Sequence, residues 1–371
     1  MNIAVNTRFL TSDEMEGYGN FVHELCKLLP LKHPEHQFFY LFDREFSKEC
    51  NFPLNVHPVV IRPAARHPLL WKYWFDIKVP LVLKRIKADL FISPDGYCSL
   101  STNVPQYLVM HDLGFLHQPE AYQPSHVNYY KRFTPRFLKK ANQIAVVSEF
   151  TKTDILKHYS LDPQKINVVY NGVKEVFQPV PFDIQLKVKE KYTAGKEYFI
   201  CVGAIQPRKN LINLLKAFSI FKKRMKSGMK LVLVGRLAWK NNEFLQLLKT
   251  YKYREDVILT GYVEELELAG LTGSAYAAVY PSLFEGFGVP VLEAMRSDVA
   301  VLTSINSSMM EIGEDGCLYF DPKHYEDIAE KMMMIYKDEE LRKRLIEKGK
   351  IISSKYSWER TEELFWNGIN W

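Results

Sequence analysis

Ile3-Ala4-Val5-Asn6-Thr7-Arg8, then Gly17-Tyr18-Gly19-Asn20-Phe21-Val22-His23-Glu24-Leu25-Cys26-Lys27-Leu28-Leu29, then Gln37-Phe38-Phe39-Tyr40-Leu41-Phe42 set the rhythm of the chain. The outer two are short apolar runs, and the middle one repeats apolar residues three and four apart, so the unit reads strand, helix, strand. Strands separated by helices of that length belong in a parallel sheet, which makes the class α/β. Outward from this unit, strand signals recur at 56–61, 90–93, 107–110, 143–147 and 166–170, with helical ones at 70–87, 127–140 and 151–159. Together they supply one complete, doubly wound sheet.

Asn171-Gly172 is a turn dipeptide, and Pro179 and Pro181 follow where neither a ladder nor a helix interior tolerates them, so a linker is expected there. The rhythm restarts with strands at 198–202, 230–234, 257–260, 277–280 and 300–303. Helices are expected at 210–226, 290–296 and, beginning at Asn241, 241–251. From Asp327 onward the pattern is helical, with Trp358, Phe365, Trp366 and Trp371 on an apolar face that needs a surface to pack on. The expected domains are 1–172, joined by a packed-back helix at about 356–371, and 173–355.

The 371 residues are 47% hydrophobic and 25% charged, the composition of a packed globular protein rather than a solvated tail. A net charge of +6 is too mild to imply a nucleic-acid partner. Cys26, Cys50, Cys98, Cys201 and Cys317 form no CxxC pair and no zinc spacing. The amino terminus lacks a basic segment followed by an apolar run, and no stretch reaches the roughly 20 apolar residues that span a bilayer, so a cytoplasmic protein is expected.

Charge is uneven in one place. Residues 201–250 carry eleven Lys and Arg against the single acid Glu243. Lys216, Lys222, Lys223, Arg224 and Lys226 read as the solvent face of one helix. Arg208 and Lys209 do not, because they precede a helix that Asn210 is expected to cap, where the positive end of the helix dipole disfavours cations unless an anion lies between. A diphosphate would supply that anion.

Farther on, Glu285-Gly286-Phe287-Gly288-Val289-Pro290-Val291-Leu292-Glu293 follows a strand directly. Pro290 suits a first helical turn, which leaves Glu285 in a loop at a strand's carboxyl end and Glu293 one turn into the next helix. Carboxylates accept hydrogen bonds from pairs of hydroxyls, so two of them spaced along one crevice suit a sugar ligand.

This segment resembles the two-glutamate signature of retaining glycosyltransferases of family four, which have the GT-B fold. Pro207-Arg208-Lys209-Asn210, Gly261-Tyr262-Val263 and Asn171-Gly172-Val173 resemble the family's other landmarks in the same order. The resemblance implies two doubly wound Rossmann-like domains facing across a cleft, with a carboxyl-terminal helix crossing back to the first. It implies that Glu293 binds the ribose of a nucleoside-diphosphate sugar, GDP-mannose or a UDP-hexose. Glu285 is then expected against the transferred sugar, the backbone of Gly286, Phe287, Gly288 and Val289 against the donor, Arg208 and Lys209 against the diphosphate, and Gly261, Tyr262 and Val263 against the base. In Glu16-Gly17-Tyr18-Gly19-Asn20 the family's adjacent glycines are replaced by a spaced pair, which leaves open whether Gly17 or Gly19 is the donor contact; a plain tight turn is the other reading. His111, in His111-Asp112-Leu113, resembles the histidine that touches the donor sugar; the plainer reading is a turn histidine paired with Asp112, and His117 reads as surface.

The activity so implied is hexosyl transfer, mannosyl favoured, to a saccharide or lipid-linked saccharide acceptor. It needs no cofactor and, since no Asp-x-Asp occurs, no metal. Aromatics interleaved with cations, Trp71-Lys72-Tyr73-Trp74-Phe75 and Tyr129-Tyr130-Lys131-Arg132-Phe133, suit an acceptor at a lipid surface, although helices with aromatics turned inward and cations outward are the commoner explanation. Two other readings remain: a nucleotide-sugar epimerase of the same fold, and a non-catalytic two-lobed binding protein.

Overall fold

The computed structural model describes residues 1–10, 17–46, 52–238 and 242–369. Glu16, Cys50, Asn241 and Trp371, named above, lie outside the described residues. The chain forms two compact units, Met1–Asn171 with Trp358–Trp371, and Gly172–Ser357.

The first unit holds seven parallel strands: β1 (Asn2–Asn6), β2 (Gln37–Phe42), β3 (Val56–Val60), β4 (Leu90–Ser93), β5 (Gln106–Met110), β6 (Gln143–Val146) and β7 (Ile166–Val168). Their order is β3-β2-β1-β4-β5-β6-β7, so the winding reverses between β1 and β4. Ile3, Ala4 and Val5 are fully buried, as continuous apolar strands are when both faces of a parallel sheet are covered. One cover is the helix Tyr18–Lys32 with the last helix, Trp358–Asn367. Phe365 stacks on Tyr107 at 4.5 Å, and Lys32 and His33 both reach Glu362, at 2.9 and 2.7 Å.

The opposite cover includes Pro68–Arg85, which runs as α-helix, one π turn at Trp74–Lys78, and α-helix again. The π turn has a local cause. Pro80 has no N–H to offer the Asp76 carbonyl four residues earlier, and the Ser101 hydroxyl donates to that carbonyl instead. Trp71, Trp74 and Phe75 point into the core, where the plainer reading of these aromatics put them.

The second unit holds β8 (Tyr198–Val202), β9 (Lys230–Val234), β10 (Val257–Gly261), β11 (Ala277–Tyr280), β12 (Ala300–Ser304) and β13 (Cys317–Phe320). All are parallel, in the order β10-β9-β8-β11-β12-β13, with the reversal between β8 and β11. The four-residue β13 and the helices Phe182–Thr193, Glu265–Gly273 and Met309–Gly313 went unread in the sequence. The helical tail is three helices rather than one continuous pattern: Tyr325–Lys337 and Glu339–Ser353 belong to this unit, and Trp358–Asn367 to the first. Asp338 makes the first break, its carboxylate accepting from the Leu341 N–H at 2.8 Å as an N-cap. Lys222 corrects the solvent-face reading of its helix. It is buried, donates to the Ser227 and Met229 carbonyls, and pairs with Asp256 at 3.0 Å.

Candidate functional site

In a parallel sheet the loops on either side of the reversal emerge at the same edge, which opens a crevice there. In the second unit those loops are the one after β8, carrying the 3-10 turn Pro207–Lys209, and the one after β11, residues 281–288. They meet through charge. Arg208 Nη1 lies 2.7 Å from Glu285 Oε2, and Lys209 Nζ lies 2.7 Å from Glu285 Oε1. Arg208 also donates to the Phe284 carbonyl at 2.8 Å, and its own carbonyl accepts from the Leu283 N–H. An anion for these cations is therefore supplied within the chain by Glu285, and the trio keeps a net charge of +1.

Asn210 is not a side-chain cap. It sits in the left-handed region at φ 57°, and its Nδ2 donates to the carbonyls of Pro281 (3.0 Å) and Pro322 (2.7 Å), tying the crevice loops together.

Residues after β12 hold the Glu285 loop in shape. Ser307 Oγ accepts from the Glu285 N–H at 3.0 Å, Ser308 Oγ donates to the carbonyls of Glu285 (3.0 Å) and Phe287 (2.7 Å), and Asn306 donates to Leu283 O at 2.7 Å. Sequence reasoning missed these three, although a polar Asn306-Ser307-Ser308 run just past a strand's carboxyl end is a visible signal. Gly288 is at φ +111°, and a Cβ there would fall 2.4 Å from Met309 Cε, so the loop enters the helix Val289–Arg296 only with glycine at that point.

Two carboxylates on this one segment are pushed in opposite directions. Burial raises the Glu285 carboxyl, but Arg208 and Lys209 outweigh it and bring it down to about 2. Burial raises Glu293 to about 7, with Lys174 and Lys209 opposing and Glu265 adding to the rise. Among the described residues the Glu293 side chain has no hydrogen-bond or ion-pair partner. Lys174 and Glu265, themselves an ion pair, are further residues the sequence reading passed over. Lys174 stands immediately after Asn171-Gly172-Val173. Gly261 ends β10 at φ +72°, with open space where a Cβ would be, and its carbonyl accepts from Gly235 N at 2.9 Å. With Tyr262 and Val263 it lies at the sheet edge, three strands from β11.

In the first unit His111 follows β5 and is buried. A carbonyl can only accept, so the contact of Nε2 with Pro94 O at 2.8 Å fixes the Nε2–H tautomer. Tyr18 stacks on the ring at 4.4 Å and Phe21 meets it edge-on at 5.0 Å. Burial lowers its pKa against the opposing Pro94 contact, leaving a neutral imidazole near pH 7. Asp112 does not pair with it; that carboxylate accepts from Gly114 N at 2.8 Å.

The turn that presents Pro94 is held across the β1/β4 reversal by Arg8, whose Nε and Nη2 donate to Asp95 at 3.0 and 2.5 Å, both side chains being buried. Neither Arg8 nor Asp95 was singled out from sequence. Gly17 precedes the helix at φ +50°, whereas Gly19 is buried inside its first turn, so the expected glycine loop shortens to Gly17. His117 is also more than surface: its Nε2 lies 2.8 Å from Asp154.

Residues 183–351 match the model described as glycosyl transferases group 1, and residues 15–175 the model described as glycosyltransferase family 4. The chain is 31% identical to O-antigen chain mannosyltransferase RfbU of Salmonella typhimurium over 260 residues, 69% of this chain and 67% of that one. It is 28% identical to O-antigen chain mannosyltransferase B of Escherichia coli over 250 residues, 67% of this chain and 66% of that one. The chain spans about two thirds of those relatives' length and about a third of the serotype-specific mannosyltransferase WbdA of Escherichia coli, to which it is 29% identical. Sucrose-phosphate synthase from Thermosynechococcus elongatus shares the fold, with a TM-score of 0.79 at 15% identity, covering 98% of this chain and 96% of that one.

Proposed function

The chain belongs to the group 1, family 4 glycosyltransferases, and on that footing we propose that it moves a hexose, mannose favoured, from a nucleoside-diphosphate sugar to a saccharide or lipid-linked saccharide in O-antigen-type polysaccharide assembly. The observation that carries the reading is the pair of glutamates flanking one loop: Glu285 ionised and clasped by Arg208 and Lys209, Glu293 without a partner one helical turn later. The relatives named as mannosyltransferases supply the lean toward mannose, with GDP-mannose or a UDP-hexose as the donor.

The chemistry is that of a leaving group. As the bond from sugar C1 to the diphosphate oxygen breaks, negative charge grows on the diphosphate, and Arg208 and Lys209 stabilise it more than they stabilise the intact donor. The acceptor hydroxyl bonds to C1 on the same face, and its proton passes to the departing phosphate oxygen, so configuration is retained. Glu285 orients hydroxyls of the transferred sugar, a role for which its ionised state suits it, and Glu293 accepts from the ribose hydroxyls. His111 is assigned to the transferred sugar by its place in the family pattern. The net positive charge that Arg208 and Lys209 keep beside Glu285 faces the phosphate, and the proposed transfer uses no divalent ion.

The test is product analysis with GDP-mannose and UDP-hexoses in the presence and absence of a lipid-linked saccharide. An acceptor-dependent α-linked product from an α-linked donor supports the reading. An acceptor-independent change at a sugar carbon instead identifies an epimerase.

We further propose that the enzyme works at the inner face of a membrane. No described helix is long and apolar enough to cross one. Leu69, Tyr73, Ile77 and Leu81 are nonetheless exposed at four-residue intervals along Pro68–Arg85, with Lys72, Lys84 and Arg85 exposed beside them, a combination suited to anionic lipid. Co-sedimentation with vesicles containing phosphatidylglycerol, reduced in Ile77→Asp/Leu81→Asp, is the expected result; equal sedimentation of both proteins contradicts it.

A further inference from the structure

His117, Asp154 and His158 come from two elements, the short helix Gly114–His117 and the helix Glu149–His158. One ligand atom from each of the three lies within 4.8 Å of the others. His117 Nε2 is 2.8 Å from an Asp154 carboxylate oxygen, and His158 Nδ1 is 3.2 Å from the other. The Asp154 side chain is 6% exposed and each histidine 32%, so a buried carboxylate sits beneath two imidazoles that solvent can reach.

Local structure explains the convergence. Ser148 caps the longer helix, its Oγ accepting from Thr151 N at 3.1 Å, which sets the helical register. Asp154 and His158 are four residues apart and therefore share one face. His158 Nδ1 lies 2.9 Å from the Asp154 backbone carbonyl, which can only accept, so Nδ1 carries its proton in this arrangement, and ligation through it replaces that hydrogen bond with the proton moved to Nε2. His117 arrives from a segment 37 positions earlier. That separation, with ligands on two elements, is why no metal spacing can be read in the sequence.

We propose that these three side chains form a binding site for a divalent transition-metal ion of the Zn²⁺ type. Two imidazoles and a carboxylate are the donor set that borderline ions prefer, and Mg²⁺ does not. Ligand atoms placed about 2.1 Å from a tetrahedral ion stand about 3.4 Å apart, within a few tenths of an ångström of the His158–Asp154 separation and about 0.6 Å beyond the His117–Asp154 one. The two histidine–carboxylate contacts thus open slightly to admit the ion, the two imidazoles, whose ligand atoms lie within 4.8 Å of each other, draw together around it, and three protein ligands leave a fourth position for water.

The ion would act as a staple. Thr151, on the same helix as Asp154 and His158, already donates to the His111 carbonyl at 3.3 Å, and His117 lies six residues after His111. Bound metal would fix the segment that follows His111 to that helix; any consequence for turnover rests on the function proposed above, but the binding itself does not.

The experiment uses the full chain stripped with a chelator and titrated calorimetrically with Zn²⁺, then with Mg²⁺, and followed by absorbance with Co²⁺. The expected result is one equivalent of Zn²⁺ per chain, no response to Mg²⁺, and visible Co²⁺ bands of a site with nitrogen ligands. His117→Ala and His158→Ala each remove an exposed side chain and are expected to weaken Zn²⁺ binding by at least about 100-fold while keeping the wild-type circular dichroism spectrum. A wild-type chain that takes up no Zn²⁺ at about 100 µM, or uptake that survives both substitutions, overturns the proposal.

Discussion

Glu285 and Glu293 stand eight positions apart on one segment, yet the loop and the helix that carry them treat a carboxylate in opposite ways. In the loop, Arg208 and Lys209, with a hydrogen bond from the Ser282 side chain, overcome burial and hold the group ionised to about pH 2. One turn into the helix, burial prevails and the group titrates at about 7. The difference teaches that the partners of the two acids, and not their spacing, decide what each can do. Glu285 is a fixed charge, and Glu293 waits for a hydrogen-bond donor that the described residues do not provide.

Removing the cations should break the comparison most severely. Arg208→Ala takes away a partner of Glu285 and, on the proposed function, a stabiliser of the leaving group, and kcat/KM for sugar transfer is then expected to fall by about 10²- to 10³-fold, mostly in kcat. Steady-state kinetics at saturating acceptor checks this.

Glu285→Gln comes next, since it strands Arg208 and Lys209 together. A stability loss of about 3 kcal/mol at pH 7 is expected in chemical denaturation. The sign with pH follows from the depressed pKa: the contribution of Glu285 is complete above about 4.5 and disappears as pH falls toward about 2, so wild type and variant should converge there.

Glu293→Gln should do the reverse. A carboxyl raised from 4.5 to about 7 contributes most below pH 4.5 and loses that contribution as pH rises through 7. The variant, which has no charge to bury, should therefore be more stable than wild type by about 3 kcal/mol at pH 8 and close to it at pH 4.5. Denaturation at the two pH values measures the gap.

The smallest effect sharpens the contrast from the other unit. The buried His111 ring should take up its second proton below the ordinary imidazole range near 6.5, as read by its ring-proton resonances between pH 4 and 8.

Most of the two sheets can be read from the sequence, because strands such as Gln37–Phe42 and Tyr198–Val202 are continuous apolar runs between helical periods. The four-residue β13 is too short for that signal, and the tail helices merge into one pattern because Asp338 serves at once as the end of one helix and the cap of the next. Within the site, Glu285, Glu293, Arg208 and Lys209 stand out by residue type at strand ends. Their mutual pairing does not, since it joins positions 76 and 77 apart that only the order β8-β11 makes neighbours. Asn210 misleads for a similar reason. Its type and place fit a cap, and only the return of the Pro281 and Pro322 carbonyls reveals its other use.

The central claim is that Glu293 receives the nucleotide. Calorimetric binding of GDP and UDP at pH 7, in buffers of different ionisation enthalpy, tests it most directly. Ribose hydroxyls that donate to Glu293 favour its ionised form, so binding should release about half a proton in the wild type and none in Glu293→Gln, with weaker affinity in the variant. Equal affinity and equal proton release in the two proteins would contradict the account.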